Sequence, residues 1–175
     1  MRREELEHIV RASADIVGEP EVVVVGSQAI LGTFAESELP DAAIASIEAD
    51  IAFFEDPERE KADLVTGAIG ELSLFHSTFG IYAEGVAIET IVLPVGWRDR
   101  VVVLETPNTD PARAVCLERH DLAASKLVAY REKDRAYVRA LLDEGLLETD
   151  LLRDRIGLLP IDERHRARLR AFIAD

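Results

Sequence analysis

Cysteine is almost missing from this chain of 175 residues: Cys116 stands alone, so no internal disulfide can form, and a reducing compartment is expected. Long apolar runs are missing too. Val22 to Val25 and Ile91 to Val95 are far too short to span a bilayer. The opening Met1-Arg2-Arg3-Glu4-Glu5 leads acids into an amphipathic helix with no apolar core of a signal peptide, so a cytoplasmic protein without a membrane partner is expected. Repeats, low-complexity tracts and linkers are absent, which predicts one domain over 1–175, with a sheet core in 1–118 and a helical part in 119–175. Lysine is scarce as well: the basic residues are 17 Arg and only Lys61, Lys126 and Lys133.

Positive charge is in deficit overall. The chain has 34 acids against 20 bases, a formal net charge of −14, and an isoelectric point near 4.7. Such a surface repels phosphate backbones, which argues against an extended nucleic-acid surface. A small nucleotide held with metal ions remains compatible, because a pocket can differ from the mean surface. With 48% hydrophobic residues the chain can bury a sizeable core.

Hydrophobic periodicity predicts a first helix over Glu4–Val17, ended by Gly18, then a buried strand at Val22–Val25 and a helix from Gln28 to Phe34. Glu36 to Ala45 reads as loop, Ala49–Phe53 as a strand and Pro57–Ile69 as a helix. Three more strands are expected at Gly80–Ala83, Val86–Leu93 and Arg100–Leu104, separated by turns at Glu84-Gly85 and Pro94-Val95-Gly96. Helices are expected at Leu122–Arg131, Arg135–Glu144, Asp150–Ile156 and Glu163–Ile173. The fold class is therefore α/β (α+β): a mixed sheet with a C-terminal helical cap.

Three pieces carry candidate chemistry. Gly26-Ser27 sits at a strand-to-helix turn, where a glycine lets backbone approach a ligand and a helix start offers N–H groups to phosphate; a plain connection is the alternative. Glu48 and Asp50 are two apart on an extended strand, so their carboxylates share one side and suit Mg²⁺ or Mn²⁺; a solvated acidic edge is the alternative. Asp121 is expected to cap a helix that places Lys126 among Leu, Ala and Val, and Asp134 starts the next helix as a cap or as a partner for that lysine.

Together, Val22 to Ser27, Glu48-Ala49-Asp50-Ile51, Lys126 and Asp134 resemble the nucleotidyltransferase fold superfamily, in its minimal and AbiEii toxin-like branch. The segments Gly67 to Gly85, Pro94 to Arg100 and Asp121 to Asp134 resemble an uncharacterised bacterial nucleotidyltransferase-like family. Twenty residues separate Ser27 from Glu48, a longer loop than the superfamily usually has, and Glu48 stands where Asp is commoner. The resemblance implies a nucleotidyltransferase-like core and metal-dependent transfer of a nucleotide from a nucleoside triphosphate to an RNA, protein or small-molecule acceptor. It implies that Glu48 and Asp50 bind metal and are catalytic, that Gly26, Ser27 and Lys126 bind the nucleotide, and that Lys126 and Asp134 complete the catalytic set. It also implies a third carboxylate on a later strand, for which Glu89 is the candidate.

Glu71, Ser73 and His76 lie close together in sequence and are candidates for an acceptor pocket; packing is the alternative for His76. Trp97 is a candidate base-stacking residue or a core one, and Cys116 reads as core. His8, His120 and His165 show no zinc spacing. Arg164, His165, Arg166, Arg168 and Arg170 form the one basic stretch, a contact for RNA or an acidic partner, or a solvated helix face. A non-catalytic binding, antitoxin or regulatory protein of the same fold, with a partner protein, is the competing function.

Overall fold

The structure, a computed structural model, describes residues 1–174. Helix α1 (Arg3–Val17) leads into β1 (Glu21–Val24), and a six-residue 3₁₀ turn (Ser27–Gly32) and the short α2 (Asp41–Ile44) connect it to β2 (Glu48–Ala52). Then follow α3 (Glu60–Ile69), α4 (Leu74–Phe79), β3 (Tyr82–Gly85), β4 (Val102–Leu104) and β5 (Arg113–Cys116). The remainder is α5 (Arg119–Ala129), α6 (Glu132–Asp143), α7 (Thr149–Gly157) and α8 (Glu163–Ala174), so among the described residues every regular element after Cys116 is helical. The strands form one sheet in the order β3-β2-β1-β5-β4, with β2–β3 and β1–β5 parallel and β1–β2 and β4–β5 antiparallel. A mixed sheet with a helical second part is the expected class.

The sheet has two unlike faces, and a glycine shows which is which. Gly85 pairs with Ile51 across β3 and β2, and a Cβ on it would lie 1.9 Å from the Ala62 carbonyl oxygen of α3. Only a residue without a side chain lets α3 come that close. Residues of the Ile51–Gly85 parity therefore face α3, and the alternate residues Glu48, Asp50, Tyr82 and Glu84 face away from it. A continuous cluster of buried apolar side chains runs from α1 (Leu6, Ile9) through β1 and β5 to α7 and α8 (Leu152, Ile173).

Several boundaries differ from the sequence reading for local reasons. The expected strand Val86–Leu93 does not form. The Val86 N–H closes the ladder on the Ile51 carbonyl, and Thr90 N–H and Ile91 N–H then fold back onto Ala87 and Ile88 as a 3₁₀ turn. Glu84-Gly85 is the end of β3, not a turn. The sequence reading missed β5, because Arg113–Cys116 is four residues long and follows a Pro- and Thr-rich loop; it lies beside β1, pairing Val115 with Val23. It also missed α4, whose N-terminus Ser73 caps. The expected helix from Gln28 is the 3₁₀ turn, and α3 starts at Glu60 because the Asp56 carboxylate accepts from Lys61 and Ala62 N–H at 3.0 and 2.9 Å. Asp121 does not cap α5: Glu118 does, accepting from His120 and Asp121 N–H.

Candidate functional site

Strand β1 carries the chain to the Gly26-Ser27 turn, and β2 returns antiparallel beside it, so that Val25 N–H donates to the Asp50 carbonyl at 3.1 Å. The Asp50 carboxylate then lies directly against Gly26: a Cβ there would stand 1.5 Å from Asp50 Oδ2. The glycine is what makes room for the acid. Glu48 shares that face, and Tyr82 Oη donates to Glu48 Oε2 at 3.2 Å from the neighbouring strand. The Gly-Ser turn is fixed in place by α6, where the buried Tyr137 donates its hydroxyl to the Ser27 carbonyl at 2.8 Å.

Lys126 reaches the same cleft from α5. Its neighbours Leu122, Ala123, Ala124 and Leu127 bury that helix, and its stem passes over the Tyr137 ring, with Nζ 4.7 Å from the centroid. Nζ ends 3.7 Å from the carboxylate of Asp134, which is buried and is also held by Arg131 at 2.6 and 3.3 Å. Asp134 therefore sits inside the first turn of α6, with Arg131 in the capping position.

These residues line two adjoining lobes, each about 340 Å³, which share Asp50, Lys126, Arg131 and Asp134. The polar lobe adds Ser27, Ser46, Glu48, Lys133 and Tyr137. The other is walled by aliphatic side chains including Val25, Val86 and Leu122. Two of the three lysines of an acidic chain thus meet here with an arginine.

Burial sets the electrostatics. Desolvation first, and the Glu48 charge second, push the Asp50 carboxyl up from an ordinary 3.8 to about 6, with Lys126 pulling the other way. Burial pushes the Lys126 ammonium below its ordinary value, against the pull of Asp134 and Asp50. The Arg131 guanidinium is held above its ordinary value by its hydrogen bond to Asp134.

Other sequence candidates lie elsewhere. Glu89 is exposed on the 3₁₀ turn after β3, not on a strand. The strand carboxylate is Glu84, in register with Asp50 and on its face, and its charge adds to the forces raising Asp50. It was hidden because Glu84-Gly85 reads as a turn. Arg131 and Lys133 were equally overlooked; the lysine scarcity already noted pointed to Lys133, whereas Arg131 is one of 17 arginines and carried no such signal. Ser73 spends its hydroxyl on capping α4, and His76 Nδ1 accepts from Leu72 N–H at 3.1 Å. The His76 ring packs on Tyr82 with centroids 4.8 Å apart, while Glu71 is exposed; none of the three lines either lobe.

Asp121 is wholly buried between Arg100, at 2.7 Å, and Arg155, at 3.3 Å, pinning α5 to the turn before β4 and to α7. Trp97 stacks against Phe54 with centroids 6.0 Å apart, and Arg98 lies over both. On α8, Arg166 and Arg170 pair with Glu163, and Arg168 lies 3.7 Å over the Tyr130 ring. His120 is buried, its Nδ1 against Glu118 at 2.7 Å and its Nε2 accepting from Glu148 N–H. Cys116 is buried in the core, its thiol pushed up to about 12. No described helix is long and apolar enough to cross a membrane, and among the described residues no three His, Cys, Asp or Glu side chains form a metal cluster.

No curated protein and no solved structure matches the chain. Residues 4–172 match the family described as "Nucleotidyltransferase of unknown function (DUF6036)", and with that match over nearly its whole length the chain belongs to this nucleotidyltransferase family.

Proposed function

We propose that this protein transfers a nucleotide from a nucleoside triphosphate to an acceptor, with Mg²⁺ or Mn²⁺ as cofactor. The observation that carries the reading is the Asp50 carboxylate packed on Gly26 in a cleft it shares with Lys126, Arg131 and Lys133. A polyanion and a cation find complementary groups side by side there.

The donor set fits a hard divalent ion. Glu48 and Asp50 project from alternate positions of one strand, and burial first and the Glu48 charge second hold the Asp50 carboxyl above its ordinary value. Such an ion commonly takes one or two carboxylates and completes its shell with substrate phosphates. Glu48 and Asp50 would hold it, and Glu84 rather than Glu89 adds negative charge beside them from the same sheet face, without lining either lobe. Bound there, it would neutralise and align the phosphates. Lys126 meets a phosphate as a point charge, Arg131 offers planar donors, and Lys133 adds a third positive charge. Ser27 supplies a hydroxyl; the turn after it is 3₁₀ and only six residues long, so side-chain cations rather than a helix dipole carry the anion binding. Asp134 keeps Lys126 oriented across the cleft. An acceptor held beside Glu71, Ser73 and His76 would reach the cleft only through Tyr82, whose ring packs on His76 and whose hydroxyl donates to Glu48.

A toxin-like role rests on the resemblance to the AbiEii branch. An RNA acceptor fits poorly with a net charge of −14 and with α8 arginines already engaged by Glu163 and Tyr130, so a protein or small-molecule acceptor in the cytoplasm is the favoured form. Calorimetric titration of nucleoside triphosphate with and without Mg²⁺ tests the reading. Metal-dependent binding that Asp50→Asn abolishes is expected. Absence of binding at millimolar nucleotide, or binding indifferent to metal and to Asp50→Asn, would point to the non-catalytic regulatory alternative.

A further inference from the structure

The two lobes differ in chemistry although they share a floor. All three cations of the cleft line the polar lobe, with Ser27 and Ser46, whereas Lys133 is absent from the other. That second lobe is lined by Val86, Ile91, Val92, Leu122 and Val128, with the Thr90 and Ser125 hydroxyls as its only uncharged polar side chains among the described residues. Its charged groups are the four residues it shares with the polar lobe together with none of its own.

We infer that the aliphatic lobe is a nucleoside subsite that holds the base by its faces and discriminates weakly among the four bases. The inference rests on the nucleoside triphosphate reading above. A triphosphate placed along the cations carries its nucleoside into the adjoining lobe, because Asp50, Lys126, Arg131 and Asp134 lie at the boundary of both. Every base has apolar faces that suit valine, isoleucine and leucine walls. Base identity, however, is read by hydrogen bonds at the edges, and besides the Thr90 and Ser125 hydroxyls, which donate and accept alike and so suit any edge, this wall offers no uncharged side chain to make them. Pockets that only enclose apolar surface separate related ligands by roughly 10- to 200-fold at most, against 10⁴ or more for pockets that pair polar groups.

The test is competition binding to the full-length protein with ATP, GTP, CTP, UTP and inorganic triphosphate, each with Mg²⁺. The four nucleotides should bind within about tenfold of one another, and each should bind at least about tenfold more tightly than inorganic triphosphate, through apolar burial. Ala129→Trp, at an exposed position on the lobe wall, should erase most of that advantage and leave inorganic triphosphate binding unchanged. Thermal melting of the variant confirms that it is folded, and Val128→Phe offers the same obstruction from a neighbouring position. One nucleotide preferred by more than about 100-fold would overturn weak discrimination. Nucleotides binding no better than inorganic triphosphate, or undisturbed by both obstructing variants, would show that the lobe serves another purpose while the phosphate site stands. No binding of any of the five would remove the nucleotide reading and this inference with it.

Discussion

Asp50→Asn should stabilise the metal-free protein, and only at neutral and alkaline pH. In the folded chain the Asp50 carboxyl is raised from an ordinary 3.8 to about 6, first by burial and then by Glu48. A raised folded pKa means that the protonated form is favoured by folding. That contribution is complete below about pH 4, fades as pH rises through 6, and is gone by pH 8. At about 1.4 kcal/mol for each tenfold change in proton affinity, the full cost of ionising Asp50 in place is about 3 kcal/mol. Asparagine avoids the charge but forfeits the attraction to Lys126 and leaves a buried amide to satisfy, so a gain of about 1–2 kcal/mol is expected at pH 8.

For a chain of this length that gain corresponds to roughly 2–8 °C in melting temperature. Melting curves by circular dichroism at pH 8 and pH 4.5, with a chelator and at one ionic strength, read it directly. The variant should melt higher at pH 8, and the gap should close at pH 4.5, where the wild-type carboxyl is protonated. A variant that melts lower at pH 8, or a gap that ignores pH, would refute the electrostatic account of the cleft.

Gly26→Ala places a methyl group where Asp50 Oδ2 now lies, 1.5 Å away, and should cost about 1–3 kcal/mol together with metal-dependent nucleotide binding, measured by melting and calorimetry. Mg²⁺ should raise the wild-type melting temperature beyond what NaCl achieves at matched ionic strength, and this difference should vanish in Asp50→Asn. Lys126→Met keeps the stem against Tyr137 and removes the charge, so it should weaken nucleoside triphosphate binding at least tenfold at little cost in stability. Glu84→Gln should weaken the Mg²⁺ response, while Glu89→Gln should leave it unchanged, a contrast that separates the strand position from the exposed turn.

Much of this was legible because it rests on short-range patterns. Val22–Val25 and the spacing of Glu48 and Asp50 are strand signals, and side-chain alternation places both acids on one face without any knowledge of the partner strand. What the sequence does not display is pairing. Arg113–Cys116 becomes a strand because β1 offers it a ladder, not because four residues of mixed character prefer that conformation. Val86–Leu93 has the apolar content of a strand, but it has reached the end of β2 and turns instead. Gly85 reads as a turn residue, whereas its actual role is to let α3 approach, and that error concealed Glu84 beside it. The charge partners of Asp121 lie 21 residues before it and 34 after it, which no local cap rule can reveal.

Net charge and site charge act on different length scales. At physiological salt a charge is screened beyond about 8 Å, so most of the acids behind the −14 are invisible from the cleft, while groups within a few ångströms are not. Lys126 stands 3.7 Å from Asp134, close enough for attraction but longer than a direct hydrogen bond, and Arg131 holds Asp134 more tightly at 2.6 Å. The nearest acid is therefore committed mainly to arginine, which leaves the lysine donors available for an arriving phosphate. Replacing Asp134 by Asn removes that competitor but also the anchor that keeps both cations aimed across the cleft. If Asp134 acts chiefly as anchor, Asp134→Asn should weaken inorganic triphosphate binding despite making the cleft more positive. Tighter binding in calorimetry would instead identify Asp134 as an internal competitor for the phosphate site.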